Sequence, residues 1–375
     1  MLSVAETWKA GFSGSRLERA YAMLQEAVAE GVLPAAGLLV SRRGVAVEPR
    51  VFGRISPEAD APPITPETIF LVASLTKPVT ATAAMMLVER GKIALDDPVV
   101  SIVPEFGSKG KEKVRVRHLL THTSGLPDML PENIQLRKQH QPLEVFIKHV
   151  YDCDLLFTPG TNVRYQSMGI AMLGEIVKRI EGIQLPEFLD RELFQPLGMK
   201  DTALGAKRHM YDRIAKVNIS KIDPEYGGPG TDWNWNTEYW WTFAAPWGGL
   251  FTTLQDYTVF LQMFLNKGSY RGRRVLSPAT VEAMTKNQIV GMQSIPEQVR
   301  LSTAWGFGWH LKSPTEWSIF GELTSPRAYG HAGATGTAAW ADPEWELTYT
   351  LFTTQPSPPD RLLTQCANAV IGALA

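Results

Sequence analysis

Ser74-Leu75-Thr76-Lys77 opens a run, Ser74 to Arg90, that is rich in alanine, methionine and leucine and is closed by Gly91. Those residues are strong helix formers, and glycine accepts the left-handed conformation that ends many helices, so the run predicts one long, largely buried helix. Three residues of spacing put the Ser74 hydroxyl and the Lys77 amine on one face of it. A serine hydroxyl is a weak nucleophile without a base beside it, and a lysine held in a desolvated cleft has its pKa lowered enough to help. The helix N-terminus adds partial positive charge where an oxyanion would form. Ser-x-x-Lys alone is common in helices, so its weight rests on what surrounds it.

Upstream, Leu17, Tyr21, Leu24 and Val28 fall on one helical stripe that ends at Gly31. Ala35 to Ser41 and Val45 to Val47 then read as two strands around the turn Arg42-Arg43-Gly44. Downstream, helix-period apolar positions mark His118 to Thr121, Leu143 to Tyr151, Met168 to Ile180, Leu185 to Leu193 and Leu254 to Phe264. Strand character returns at Trp305 to Leu311, Ser318 to Gly321, Gly336 to Ala341 and Leu347 to Thr354, before a final helix from Asp360 to Leu374. This order predicts an α+β fold: an antiparallel sheet flanked by helices, built from both chain ends, with a mostly helical inserted lobe. Residues 1–72 and 285–375 are expected to form the sheet lobe and residues 73–284 the helical lobe, with the active site in the cleft between them.

Composition narrows the function. The chain has 375 residues, 44% hydrophobic and 20% charged, and its 37 Lys+Arg against 38 Asp+Glu leave a net charge of -1. A small peptide module and a disordered chain are excluded, and a nucleic-acid partner is not expected without a basic excess. The basic pairs Arg42-Arg43 and Arg273-Arg274 read as solvated turn residues. Cys153 and Cys366 lack the spacing of a zinc site or a redox dithiol and read as inert thiols. No stretch is apolar enough to span a bilayer, and Met1 to Lys9 carries no basic then apolar export pattern, so a cytoplasmic enzyme with no membrane partner is expected.

Two further signals carry chemistry. Tyr165-Gln166-Ser167 precedes a helix; a phenol near a lysine ammonium can be partly ionised and act as a general base, while Ser167 could cap the helix. His331-Ala332-Gly333-Ala334-Thr335-Gly336-Thr337 is a strand of small residues that lets a substrate approach the backbone, and the Ala334 and Ser74 amides could form an oxyanion hole.

Taken together and in this order, the three signals resemble the serine beta-lactamase and penicillin-binding superfamily, especially its class C beta-lactamases, family VIII carboxylesterases and DD-peptidases. Arg117 through Leu126, Trp247-Gly248-Gly249-Leu250 and Gly330 through Pro343 are similar landmarks, so the resemblance spans nearly the whole chain. It implies Ser74 as the acylated nucleophile, Lys77 as its activating partner, Tyr165 as general base or acid, and no metal or organic cofactor. It also places His331 where most beta-lactamases carry the lysine of Lys-Thr-Gly, and Ser167 where they carry the asparagine of Tyr-x-Asn. Both departures argue against efficient lactam recognition, since an imidazole holds a carboxylate less reliably than lysine and a hydroxyl replaces an amide.

Five of the 11 tryptophans lie between Trp233 and Trp247. Trp240 and Trp247 are candidate walls of an apolar substrate cleft, with lobe packing or a dimer contact as the competing reading. His118-Leu119-Leu120-Thr121-His122 lacks the glutamate of a zinc-protease motif and reads as a loop tie. Gly11-Phe12-Ser13-Gly14-Ser15 is not a nucleophile elbow but a flexible lead-in. The expected function is hydrolysis of short or medium acyl esters through a Ser74 acyl-enzyme, acting on a small-molecule ester or amide. A DD-peptidase, D-amino-acid peptidase, weak beta-lactamase, acyltransferase, or an acylated binder without turnover are the alternatives.

Overall fold

The computed structural model describes residues 2–58, 60–313 and 319–375. Its centre is a sheet assembled from both ends of the chain. In spatial order the strands are Ser3–Val4, Val45–Ala46, Ala35–Arg42, Leu347–Thr353, Thr337–Asp342, Tyr329–Gly333 and His310–Leu311, and Arg50–Gly53 also pairs with Ala35–Arg42. The pairings are antiparallel except at one edge, where Ser3–Val4 runs parallel to Val45–Ala46. The expected α+β architecture is thus observed, with that edge pair as its departure. Arg43 and Gly44 join two of the strands at φ 52° and 76°, the positive values that match a two-residue hairpin to the twist of its strands.

Period-two alternation divides the faces of the sheet. Leu38, Val40, Trp340, Tyr349 and Leu351 pack with Leu17, Tyr21, Leu24, Leu363 and Val370 of the first and last helices, Gly14–Ala29 and Asp360–Ile371. Their neighbours Leu39, Ala339, Ala341 and Phe352 join the larger core with helix Leu254–Leu265 and the central helices. Hydroxyl pairs line this inner face: Thr258 and Thr350 lie 2.8 Å apart, and Ser41 and Thr348 2.6 Å. Pairing them spares the desolvation penalty of stranded polar groups. No helix among the described residues is long and apolar enough to cross a membrane.

Several local expectations change. The Ser74 run divides into a 3-10 turn, Ala73–Leu75, and the helix Thr76–Glu89, which is buried from Thr76 through Leu87. Residues 305–311 are not one strand. Gly308 turns the chain at φ 81°, where a Cβ would collide with that of Ala81, so the strand shrinks to His310–Leu311 and Trp305 makes a single bridge to His310. Ser318 lies outside the described residues, and residues 319 and 320 form a turn. The helix from Leu185 ends at Leu189 and widens into a π turn over Asp190–Phe194. A small second sheet of Phe70–Leu71, Leu250–Thr252 and Ala203–Leu204 was not expected, because strands this short carry no periodic signal. Arg42 is not a solvated turn residue: it is buried, and its Nη1 donates to the carbonyls of Gly11 at 2.7 Å and Ala375 at 2.9 Å. The lead-in before the first helix is pinned as well, with Ser13 N donating to Ala373 O at 2.8 Å.

Candidate active site

Ser74 sits in the short turn between strand Phe70–Leu71 and helix Thr76–Glu89, and neighbouring elements fix that turn. Ala73, just before it, holds a left-handed φ of 45°, a conformation that persists in a side-chain-bearing residue only when its surroundings impose it. Thr76 Oγ1 donates to Ala73 O at 2.6 Å and accepts from Leu250 N at 3.0 Å. Thr335 and Thr337 Oγ1 donate to Leu71 O and Val72 O at 2.6 and 3.0 Å, and the Tyr257 hydroxyl donates to Leu75 O at 3.0 Å. The His331 to Thr337 segment is therefore bolted to the backbone that carries Ser74.

Lys77 Nζ lies 2.8 Å from Ser74 Oγ and donates to Trp247 O at 3.1 Å. It is fully buried, and that burial lowers its pKa to about 7 against the opposing pull of Asp128. The Tyr165 phenol lies close enough to Ser74 to interact with it, and its ring lies 4.6 Å from Lys77 Nζ. Burial raises the Tyr165 phenol well above its ordinary value. The expected partial ionisation of Tyr165 is thus not what the site produces. The desolvation that brings the lysine down to about 7 also disfavours the phenolate, so near neutral pH a large share of Lys77 is free amine while Tyr165 stays a phenol.

The segment His118 to Ser124 holds Tyr165 in place. Gln166 N donates to His122 Nδ1 at 3.1 Å, Arg164 N to His122 O at 2.9 Å, and Gln166 Nε2 to His118 O at 3.1 Å, while Ser124 Oγ donates to Gln166 Oε1. The two histidines tie this loop. Ser167 does not cap its helix: it is the first residue of Ser167–Glu181, and its Oγ donates to Asp128 Oδ1 at 2.6 Å. Sequence reasoning missed Asp128, and also Trp305, whose ring packs 4.2 Å from His122 and 5.9 Å from both Tyr165 and His331. Neither belongs to a motif, so no sequence signal marked them.

His331 is buried with its Nδ1 2.6 Å from Ala332 O. The carbonyl can only accept, so Nδ1 carries the proton and Nε2, which has no hydrogen-bond partner among the described residues, presents a lone pair. Burial, then the nearby Lys77, lowers the imidazole to about 3. Ala334 is exposed at the tip beyond the strand. Trp240 and Trp247 fall on the packing side of the earlier choice, being only 3% and 2% exposed and part of the main core. Trp240 stacks 5.5 Å from Phe243 with the Arg137 guanidinium 4.4 Å from its ring, and Trp247 contributes its carbonyl rather than its indole to the site. A cavity of about 440 Å³ beside Tyr239, Phe243 and Pro246 touches none of Ser74, Lys77 or Tyr165.

Gly333 is positioned by close approach. A Cβ there would overlap Val72 O and Thr337 Oγ1, the pair that fixes the turn before Ser74. Gly333→Ala is expected to destabilise the fold by about 2 kcal/mol, the scale of core overpacking, and to lower turnover by displacing the turn. A thermal melt beside a rate measurement checks this; a wild-type melt and rate would show that the strand yields without moving Ser74.

The fold and this arrangement define a serine-hydrolase class, and the comparisons give the family. The Beta-lactamase family model matches residues 21–370. Protein Rv1367c of Mycobacterium tuberculosis (strain ATCC 25618 / H37Rv) is 30% identical, over 94% of this chain and 92% of that protein. A putative D-alanyl-D-alanine carboxypeptidase of Salmonella enteritidis PT4 is 26% identical, over 96% of this chain and 87% of that protein. The crystal structure of a family VIII carboxylesterase superposes with a TM-score of 0.77 at 19% identity, covering 97% of this chain and 99% of the other. The chain belongs to the Beta-lactamase family and is a serine hydrolase of that fold.

Proposed function

We propose that the protein is a carboxylesterase that cleaves short or medium acyl esters through an acyl-enzyme on Ser74. Ser74 Oγ attacks the ester carbonyl while its proton passes to the neutral Lys77 amine 2.8 Å away. The carbonyl oxygen becomes an oxyanion facing the Ser74 and Ala334 amides. On collapse, Tyr165 gives its proton to the departing alkoxide and recovers one from the Lys77 ammonium, which leaves an acylated Ser74, a free alcohol and the original amine and phenol. Water then repeats the cycle in the opposite sense and releases the carboxylic acid.

The observation that carries the ester reading is the buried, uncharged His331 at the position where the resemblance puts a lysine. A penicillin or a peptide C-terminus brings a carboxylate, and here it would meet a lone pair in place of a cation. An ester without a carboxylate forfeits nothing. The family VIII carboxylesterase structure supports the reading through its fold alone. The test is side-by-side turnover of p-nitrophenyl butyrate and a chromogenic cephalosporin by wild type and Ser74→Ala. Ester turnover that disappears in Ser74→Ala, with negligible lactam turnover, is expected. Fast lactam opening, or ester turnover that survives in Ser74→Ala, overturns it.

A further inference from the structure

We infer that Asp128, held by Ser167, forms an anionic subsite beside Ser74 that receives a cationic group, a protonated amine or a quaternary ammonium, of the substrate ester. The inference rests on the esterase reading and names its substrate class. Ser167 follows Tyr165 by two residues, and the Tyr165 ring lies 4.6 Å from Lys77 Nζ, which itself is 2.8 Å from Ser74 Oγ. The 2.6 Å bond from Ser167 Oγ to Asp128 Oδ1 therefore sets a carboxylate at the edge of the catalytic group. Asp128 is partly exposed and, among the described residues, makes no salt bridge with a lysine, arginine or histidine.

His122 and His331 are buried and held below their ordinary pKa values, each by desolvation first, and burial lowers Lys77 to about 7, so that its charge is only partial near neutral pH. Asp128 is close enough that its field acts on both Lys77 and Tyr165. The bland alternative is that Asp128 only serves the N-terminus of helix Ser167–Glu181, where negative charge is favourable. That role does not distinguish between two substrates of equal shape.

The test compares butyrylcholine with its uncharged carbon isostere, 3,3-dimethylbutyl butyrate, at low ionic strength. Wild type is expected to prefer the cation in kcat/KM by about tenfold or more, the scale of one partly desolvated ion pair, and added salt should shrink the preference. Asp128→Asn should bring the ratio near one whatever happens to the absolute rates, and Asp128→Glu should keep part of it. A wild-type ratio near one, or a ratio unchanged in Asp128→Asn, overturns the inference. Should Asp128→Asn fail to fold, the wild-type ratio and its salt dependence still decide. Choline binding to Ser74→Ala, followed by calorimetry with and without Asp128→Asn, reads the subsite without turnover. Loss of p-nitrophenyl butyrate turnover as well would sink the esterase reading, and the choline measurement would still judge the subsite.

Discussion

Lys77→Met is expected to lower kcat/KM for any ester the enzyme turns over by about a thousandfold or more, within the span of general-base catalysis. Lys77→Arg should be equally inactive. Arginine keeps a donor near Ser74 but does not give up its proton, so an active Lys77→Arg would mean that the lysine positions rather than accepts. The competent form is the uncharged amine, and burial sets its pKa at about 7. Wild-type kcat/KM should therefore rise with pH through about 7 and fall away on the acid side, while the buried Tyr165 phenol stays protonated throughout. An acid limb far from 7 would show that Lys77 is not the titrating base. Because Ser74 and Lys77 act as a unit, the double variant with Ser74→Ala should be no worse than either alone. The same substitution should raise the melting temperature, since it replaces an amine whose burial is unfavourable with an apolar side chain of similar length.

The fold was legible where the chain repeats a pattern over many residues. The runs Ala35–Arg42 and Leu347–Thr353, buried along their whole length between two cores, and the stripe Leu17, Tyr21, Leu24, buried on one face, all survive folding intact. The strand expected over 305–311 did not, because Gly306 and Gly308 interrupt it where a side chain would strike Met284 O and Ala81. The proximity of Ser74 and Lys77 was legible because both lie on one helical turn. Tyr165 and His331 had to be brought from distant segments, and their order along the chain carried that inference. Asp128 is the counterexample: it reaches the site through a single contact across 39 residues of sequence. The state of Tyr165 was misjudged because ionisation depends on burial from all sides, which no local pattern reports.

Stability should fall steeply as the pH drops from about 6.5 toward 4. Burial holds His331 at about 3, His118 at about 4 and His122 well below its ordinary value. In the unfolded chain each imidazole takes a proton near pH 6.5. Below that pH the unfolded state binds more protons than the folded one, and stability is lost until the pH reaches the depressed folded values. Asp256 works against this. Burial raises it to about 6, so between there and its unfolded value near 3.8 the folded state holds the extra proton. The depressed histidines outweigh the one raised carboxyl, so unfolding takes up protons on balance near pH 5 and stability falls there, with partly exposed His118 contributing least. Denaturant unfolding at pH 7, 6 and 5 measures the slope, and His331→Gln should flatten it. A slope that His331→Gln leaves unchanged would mean that His331 is protonated in the folded protein. It would then be a cation facing Ser74, and the reason given for preferring esters over carboxylate-bearing lactams would fail with it.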